Sequence, residues 1–213
     1  LIQIDDAGSG SLLGGTIIGA LRVETNEYYH SVIPLDYYKG ENFQKKAYIH
    51  YVISIVEDLL NKLKVDKNEP IEVCRGYMFD ASTIWLRENN YNYVKTVIKD
   101  PLQTKIEQSF EEYAIGLGLP KMFISYTKYP FHFHRILKWV YADYPNRSIL
   151  CKTGWKSWKK HGNLKLQYSS EVIKTKNLIC LKCYNIIPHK SIGKVITFYS
   201  NRKTKVFIHP TCI

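Results

Sequence analysis

Extended runs and helical stretches succeed one another in a set order along the first 118 residues. Leu1, Ile2 and Ile4 open an apolar run that ends on Asp5 and Asp6, and Gly8, Gly10 and Gly14 follow. Residues 15–21 resume an extended apolar run, so the two segments read as a strand pair about a glycine-rich turn. Residues 28–35 read as a third strand, which makes an antiparallel meander. Asn42 is then expected to cap a long helix. Its apolar face is Ala47, Val52, Ile53, Ile55, Val56, Leu59, Leu60 and Leu63, at spacings of three and four. Residues 70–74 give a short fourth strand, 81–89 a second helix and 93–98 a fifth strand. A further helix starts at Asp100-Pro101, with proline in its first turn. It turns Ile106, Phe110, Tyr113 and Ala114 inward and stops near Gly116 and Gly118. This order predicts an α/β fold with a mixed five-stranded sheet flanked by helices.

The acids at the end of the first strand carry the first chemical signal. A carboxylate at a strand end stands on fixed backbone, and the glycines after it let the chain reverse and leave room for a substrate. An acidic hairpin turn with no further role is the simpler reading, since Asp and Gly are ordinary turn residues. Two-metal phosphodiester chemistry needs several carboxylates converging around ions roughly 4 Å apart. Further acids are therefore expected from elements beside the first strand.

Ile4-Asp5-Asp6-Ala7-Gly8-Ser9-Gly10, with Leu12, Leu13 and Gly14, resembles the opening strand of the RNase H-like superfamily. The segment is most similar to type 2 ribonuclease H, whose first strand ends Asp-Glu-Ala-Gly-Arg-Gly; Asp6 replaces the Glu and Ser9 the Arg. It is also similar to RuvC-type Holliday-junction resolvases, and the order of strands and helices is the RNase H-like order. The resemblance implies a metal-dependent nuclease using Mg2+ or Mn2+, with Asp5 bridging the ions and Asp6 beside it. The second carboxylate is then expected within residues 70–80. Glu72, borne on the strand, is preferred over Asp80, which reads as a cap for the helix that follows. The last ligand should come from a helix packed beside the first strand. Similarity to the resolvases points to residues 131–140 and to His132 or His134, with phosphate contact or capping as the alternative role for both. Glu107 and Glu111 on the preceding helix are the fallbacks. The usual Asp-x-x-Asp pair is absent. That absence supports a second expectation, a nucleic-acid-binding protein that kept the fold with a degenerate site.

The chain of 213 residues suffices for one ordinary domain and a small appendage. Charge divides it: residues 1–120 carry a net −5 and residues 121–213 a net +16. Such a basic half is an electrostatic footprint for a polyanion, through phosphate neutralisation and counterion release. A membrane surface is the rival partner, but no amphipathic helix with a basic face supports it, and no apolar run is long enough to span a bilayer. With no signal peptide ahead of the first strand, a cytoplasmic location is expected. The resolvase resemblance allows a homodimer, of which the sequence shows no face.

Cys180-Leu181-Lys182-Cys183 and His209-Pro210-Thr211-Cys212 form paired knuckles whose four ligands suit structural Zn2+. A disulfide is the alternative, disfavoured in a reducing compartment. Cys74 and Cys151 are expected as small buried apolar groups. Between the knuckles, residues 194–199 and 204–208 flank a hairpin tip where Arg202 and Lys203 are expected to touch phosphate. Upstream, Lys152, Trp155, Lys156, Trp158, Lys159 and Lys160 alternate cations with indoles. That pattern suits phosphate contact with stacking on unpaired bases, or equally a basic loop docked by its tryptophans. The expected organisation is a nuclease domain over residues 1–145, a basic aromatic connector over 146–178 and a zinc-finger module over 179–213.

Overall fold

The structure is a computed structural model that describes residues 1–125 and 127–212. It divides into two compact units, Leu1–Leu119 and Pro120–Ile213.

The first unit follows the expected order. Strands β1 (Ile2–Ala7), β2 (Thr16–Arg22) and β3 (Glu27–Ile33) precede helices α1 (Gly40–Gln44) and α2 (Ala47–Lys62). Strand β4 (Ile71–Cys74), helix α3 (Asp80–Glu88), strand β5 (Tyr93–Thr96) and helix α4 (Leu102–Gly116) complete it. The strands form one mixed sheet in the order β3-β2-β1-β4-β5. β1 runs antiparallel to β2 and parallel to β4, which places the first strand in the centre.

Strand alternation then sorts the side chains of β1. Ile2 and Ile4 enter a core with Val52, Val56 and Leu59 of α2, Val73 of β4 and Leu86 of α3. Gln3 and Asp5 turn to the opposite face, which α4 covers. The approach of α4 is close, and glycines permit it. A Cβ on Gly19 would lie 3.0 Å from Ile106 Cδ1, and one on Gly8 would lie 2.0 Å from the Phe110 ring. The Gly15 amide donates to the Tyr113 hydroxyl at 3.0 Å, tying the end of the β1–β2 turn to α4.

The long helix departs from its expected start. Asn42 lies inside α1, where its side-chain amide donates to the Asp36 carbonyl at 3.4 Å. Lys46 then takes a left-handed conformation, φ 53°, and breaks the helical run before α2 begins. The Lys45-Lys46 pair offered no Gly, Asn or Pro to mark that break.

The second unit holds α5 (Lys121–Ile124), α6 (Phe133–Ala142), α7 (Tyr144–Arg147) and α8 (Lys156–His161), then β6 (Gln167–Val172), β7 (Leu178–Ile179), β8 (Ile186–Ile187), β9 (Ile192–Tyr199) and β10 (Lys203–Ile208). The expected hairpin is β9–β10, and β6 joins it as a third antiparallel strand on β9. Residues 146–178 therefore carry α8 and an integral strand. Among the described residues no helix is long and apolar enough to cross a membrane.

Candidate functional site

The end of β1 is the acidic site. Asp5, Asp6 and Cys74 each offer a ligand atom, and these atoms lie within 4.8 Å of one another. Parallel pairing produces the grouping: Ile4 is in register with Val73, so the next residues, Asp5 and Cys74, stand side by side where β4 ends. The Asp6 amide donates to Asp5 Oδ1 at 2.8 Å. The Cys74 thiol donates to the Asp5 carboxylate and accepts from the Gly76 amide at 3.5 Å.

Burial and neighbouring carboxylates both act on the groups at this end. Burial raises Asp5 above the usual carboxylate range against the lowering effect of its hydrogen bonds, and the Glu107 carboxylate pushes it up further. Burial, the bond to Asp5 and the charge of Asp6 push the Cys74 thiol up to about 11, against the Gly76 amide. Glu107 follows the buried Ile106 on α4, so the helix that covers β1 brings one of the fallback acids within electrostatic reach of Asp5.

Glu72 stands two positions before Cys74, on the same face of the sheet as Cys74, Gln3 and Asp5. Its Oε2 accepts from Gln3 Nε2 at 3.1 Å, and it is outside the converging group. Asp80 opens α3 and its Oδ1 pairs with Lys95 Nζ at 2.8 Å, a structural placement. His132 and His134 belong to the second unit, where His132 is the N-cap residue of α6. His134 stacks edge-on against His161 with ring centroids 5.4 Å apart. Burial holds His134 below the usual imidazole range, and the neighbouring His161, His132 and Arg202 add to the effect.

The second unit contains the other converging group, Cys180, Cys183, His209 and Cys212, whose ligand atoms also lie within 4.8 Å of one another. These residues are positioned to bind a metal, as their spacing predicted. His209 is pre-oriented: its Nε2 faces the Ile186 carbonyl at 3.1 Å, which fixes the proton there. Nδ1 is then left facing the sulfurs of Cys183 at 3.2 Å and Cys212 at 3.8 Å. The His209 amide also donates to Cys180 Sγ at 3.4 Å. Burial opposes ionisation of both outer thiols. Amide and sulfur hydrogen bonds nevertheless bring Cys183 down, while its own neighbours push Cys212 up to about 11. Three sulfurs this close cannot all become thiolates without a cation between them. Four protein ligands of this type leave no open position, so the group suits a structural ion.

A residue missed in the sequence holds this knuckle. Arg147, 6% exposed, donates to the carbonyls of Trp139, Leu181 and Lys182 at 2.7–3.0 Å and to the Tyr184 hydroxyl at 2.9 Å. Its guanidinium lies 4.4 Å from the Trp139 ring centroid, and Trp139 Nε1 donates to the same Tyr184 hydroxyl at 2.7 Å. A planar fork of donors suits such a set of carbonyls, and no local motif announces it.

The basic aromatic segment is split by burial. Lys156, Lys159 and Lys160 are exposed along α8, as are Arg202 and Lys203 at the hairpin tip. Lys152 is wholly buried, its Nζ 5.2 Å from the Trp155 ring centroid, which turns its ammonium away from an external phosphate. Trp155 and Trp158 are half-buried. Trp158 lies flat on Gly162, where a Cβ would come within 2.4 Å of the indole. Cys151 is buried, as expected; Cys74 is half-buried and polar in its contacts.

Compared with known proteins, the chain matches no family model, and no curated protein matches it.

Proposed function

We propose that the protein is a metal-dependent nuclease of RNase H-like fold that cleaves phosphodiester bonds in structured DNA or RNA. The observation that carries the reading is the convergence of Asp5, Asp6 and Cys74 at the end of a central strand, with the Glu107 charge felt at Asp5. A site that accumulates carboxylates in a half-buried setting, with Asp5 raised by burial and further by the Glu107 charge, fits a divalent cation. Asp5 and Asp6 would hold such an ion, which when bound activates water and stabilises the leaving oxygen. Gln3 orients Glu72 on the same face of the sheet, and Glu107 adds negative charge toward Asp5. The β1–β2 turn, held to α4 by Gly15 and Tyr113, fixes the strand end on which the ligands stand. Nucleic acid would be gripped by the basic half, through Lys156, Lys159, Lys160, Arg202 and Lys203, with Zn2+ holding the Cys180–Cys212 knuckles.

Asp5→Asn tests this reading. It removes a ligand charge at constant shape, so divalent-metal-dependent cleavage should be lost while circular dichroism stays unchanged. Full cleavage by the variant overturns the assignment. A second reading, a non-catalytic nucleic-acid-binding protein with a degenerate site, is favoured by one observation. A thiol stands at the end of β4, the place where a further oxygen ligand would be expected. Tight nucleic-acid binding by a wild-type chain that shows no cleavage with any divalent ion would support it.

A further inference from the structure

The thiol of Cys74 sits where an apolar filler would be out of place. It is half-buried, bonded to the Asp5 carboxylate, within ligand distance of Asp6, and served by the Gly76 amide. The Gly76 amide gives the sulfur one hydrogen-bond donor that a metal-bound sulfur would keep. The β1–β4 pairing puts Gln3, Asp5, Glu72 and Cys74 on one face of adjacent strands. On that face the Gln3 Oε1 atom is buried and accepts no hydrogen bond among the described residues, although the residue is only 6% exposed. A buried amide oxygen left without a donor costs about 1–3 kcal/mol, which a cation or the water it carries can relieve. This oxygen, on the same face of β1 as Asp5, is an observation independent of the ligand cluster, and it calls for a hydrogen-bond donor such as a water carried by an ion.

We propose that Cys74 is a metal ligand together with Asp5 and Asp6, and that it makes the acidic site selective for a thiophilic divalent ion of the zinc class over Mg2+. Mg2+ takes oxygen ligands in near-ideal octahedral geometry and gains little from sulfur. A thiolate shifts preference toward Zn2+, Co2+ or Cd2+. On binding, the Cys74 S–H bond breaks, its proton goes to solvent, and the sulfur lone pair enters the coordination bond; no oxidant or reductant is involved. The inference rests on the reading of Asp5 and Asp6 as the metal-binding end of the nuclease and adds which ion that end takes.

The test is metal binding by the full chain, read without reference to cleavage. Protein stripped with a chelator is dialysed against Cd2+ in excess Mg2+, and bound cadmium is counted with the thiolate-to-cadmium absorption band. Wild type should hold one ion at each of the two clusters. Cys74→Ser should lose one bound ion and part of the band. Cys183→Ser should lower only the other cluster's share of the band, and adding Cys74→Ser should lower the band by the same further amount as it does in wild type. Cys74→Asp should keep the site but let Mg2+ displace the cadmium. Should Cys183→Ser fail to fold, Cys74→Ser and Cys74→Asp alone decide the matter. Unchanged cadmium stoichiometry and band in Cys74→Ser overturn the proposal. Loss of the second ion in Asp5→Asn but not in Cys74→Ser also overturns it, while leaving the nuclease reading intact. Metal-dependent cleavage that survives Asp5→Asn counts against Asp5 as a ligand of the nuclease site, whatever cadmium shows.

Discussion

Replacing Gly8 with alanine tests how the acidic strand end is seated. Two independent costs are visible. Gly8 has φ +84°, a left-handed conformation that costs an L-residue about 1–2 kcal/mol. Its new Cβ would also stand 2.0, 2.4 and 2.5 Å from Cε2, Cδ2 and Cζ of Phe110. Phe110 is 3% exposed and cannot swing into solvent without emptying the core under α4. Forcing a methyl into such a place costs about 1–3 kcal/mol. Gly8→Ala should therefore destabilise the first unit by about 2–5 kcal/mol, a large share of a typical domain's stability. Phe110→Ala alone should cost about 3–5 kcal/mol through the cavity it leaves. In the double variant the clash has no partner while the backbone strain remains. The pair should then be less damaging than the sum of its parts by about 1–3 kcal/mol. Urea unfolding at fixed pH supplies the numbers, with midpoint and slope fitted separately. Gly116→Ala is the control. Gly116 ends α4 with open space around its Cβ position, so that change should stabilise by about 0.5–1 kcal/mol. Additivity of Gly8→Ala and Phe110→Ala within about 0.5 kcal/mol would refute the claim that this glycine exists to let α4 reach the strand end.

Other outcomes follow from the same geometry. Purified protein should contain one metal ion at the Cys180, Cys183, His209 and Cys212 group, and Cys180→Ser should release it, as read by elemental analysis. Arg147→Lys should loosen the knuckle even though charge is kept, because an ammonium cannot serve the carbonyls of Trp139, Leu181 and Lys182 at once; amide exchange at residues 180–184 reports it. Arg22 grips Glu69 through two bonds of 2.8 and 2.9 Å and holds its carboxyl below the ordinary value of 4.5. A lowered folded-state pKa stabilises above the unfolded value and is lost as pH falls through the folded one. Glu69→Gln should thus cost about 1 kcal/mol or less near neutral pH, and its gap from wild type should close in acid. Nucleic-acid affinity should fall steeply with salt, since the exposed groups on α8 and the β9–β10 tip are cations. Trp155→Ala and Trp158→Ala separate stacking from packing. A loss of single-strand binding at unchanged stability marks stacking, whereas a lowered unfolding midpoint with unchanged binding marks Trp158 as the cover of Gly162.

What the sequence determined by itself is what neighbours along the chain decide. The apolar run into Asp5 and Asp6, the glycines after it, the periodicity of α2 and α4, and the Cys-x-x-Cys and His-x-x-Cys spacings each express local backbone or ligand chemistry. The order of strands and helices could be read from the pattern because period follows secondary structure directly. Tertiary structure decided the partners. Only the parallel register of β1 with β4 sets Cys74 beside Asp5 and Gln3 beside Glu72, 69 residues apart. Only the close packing of α4 brings Glu107 to bear on Asp5, and only folding buries Lys152 and turns Arg147 into a clamp for the knuckle. Residue type and spacing do not carry that information, because which groups meet across a sheet depends on register and on where the backbone has left room to approach.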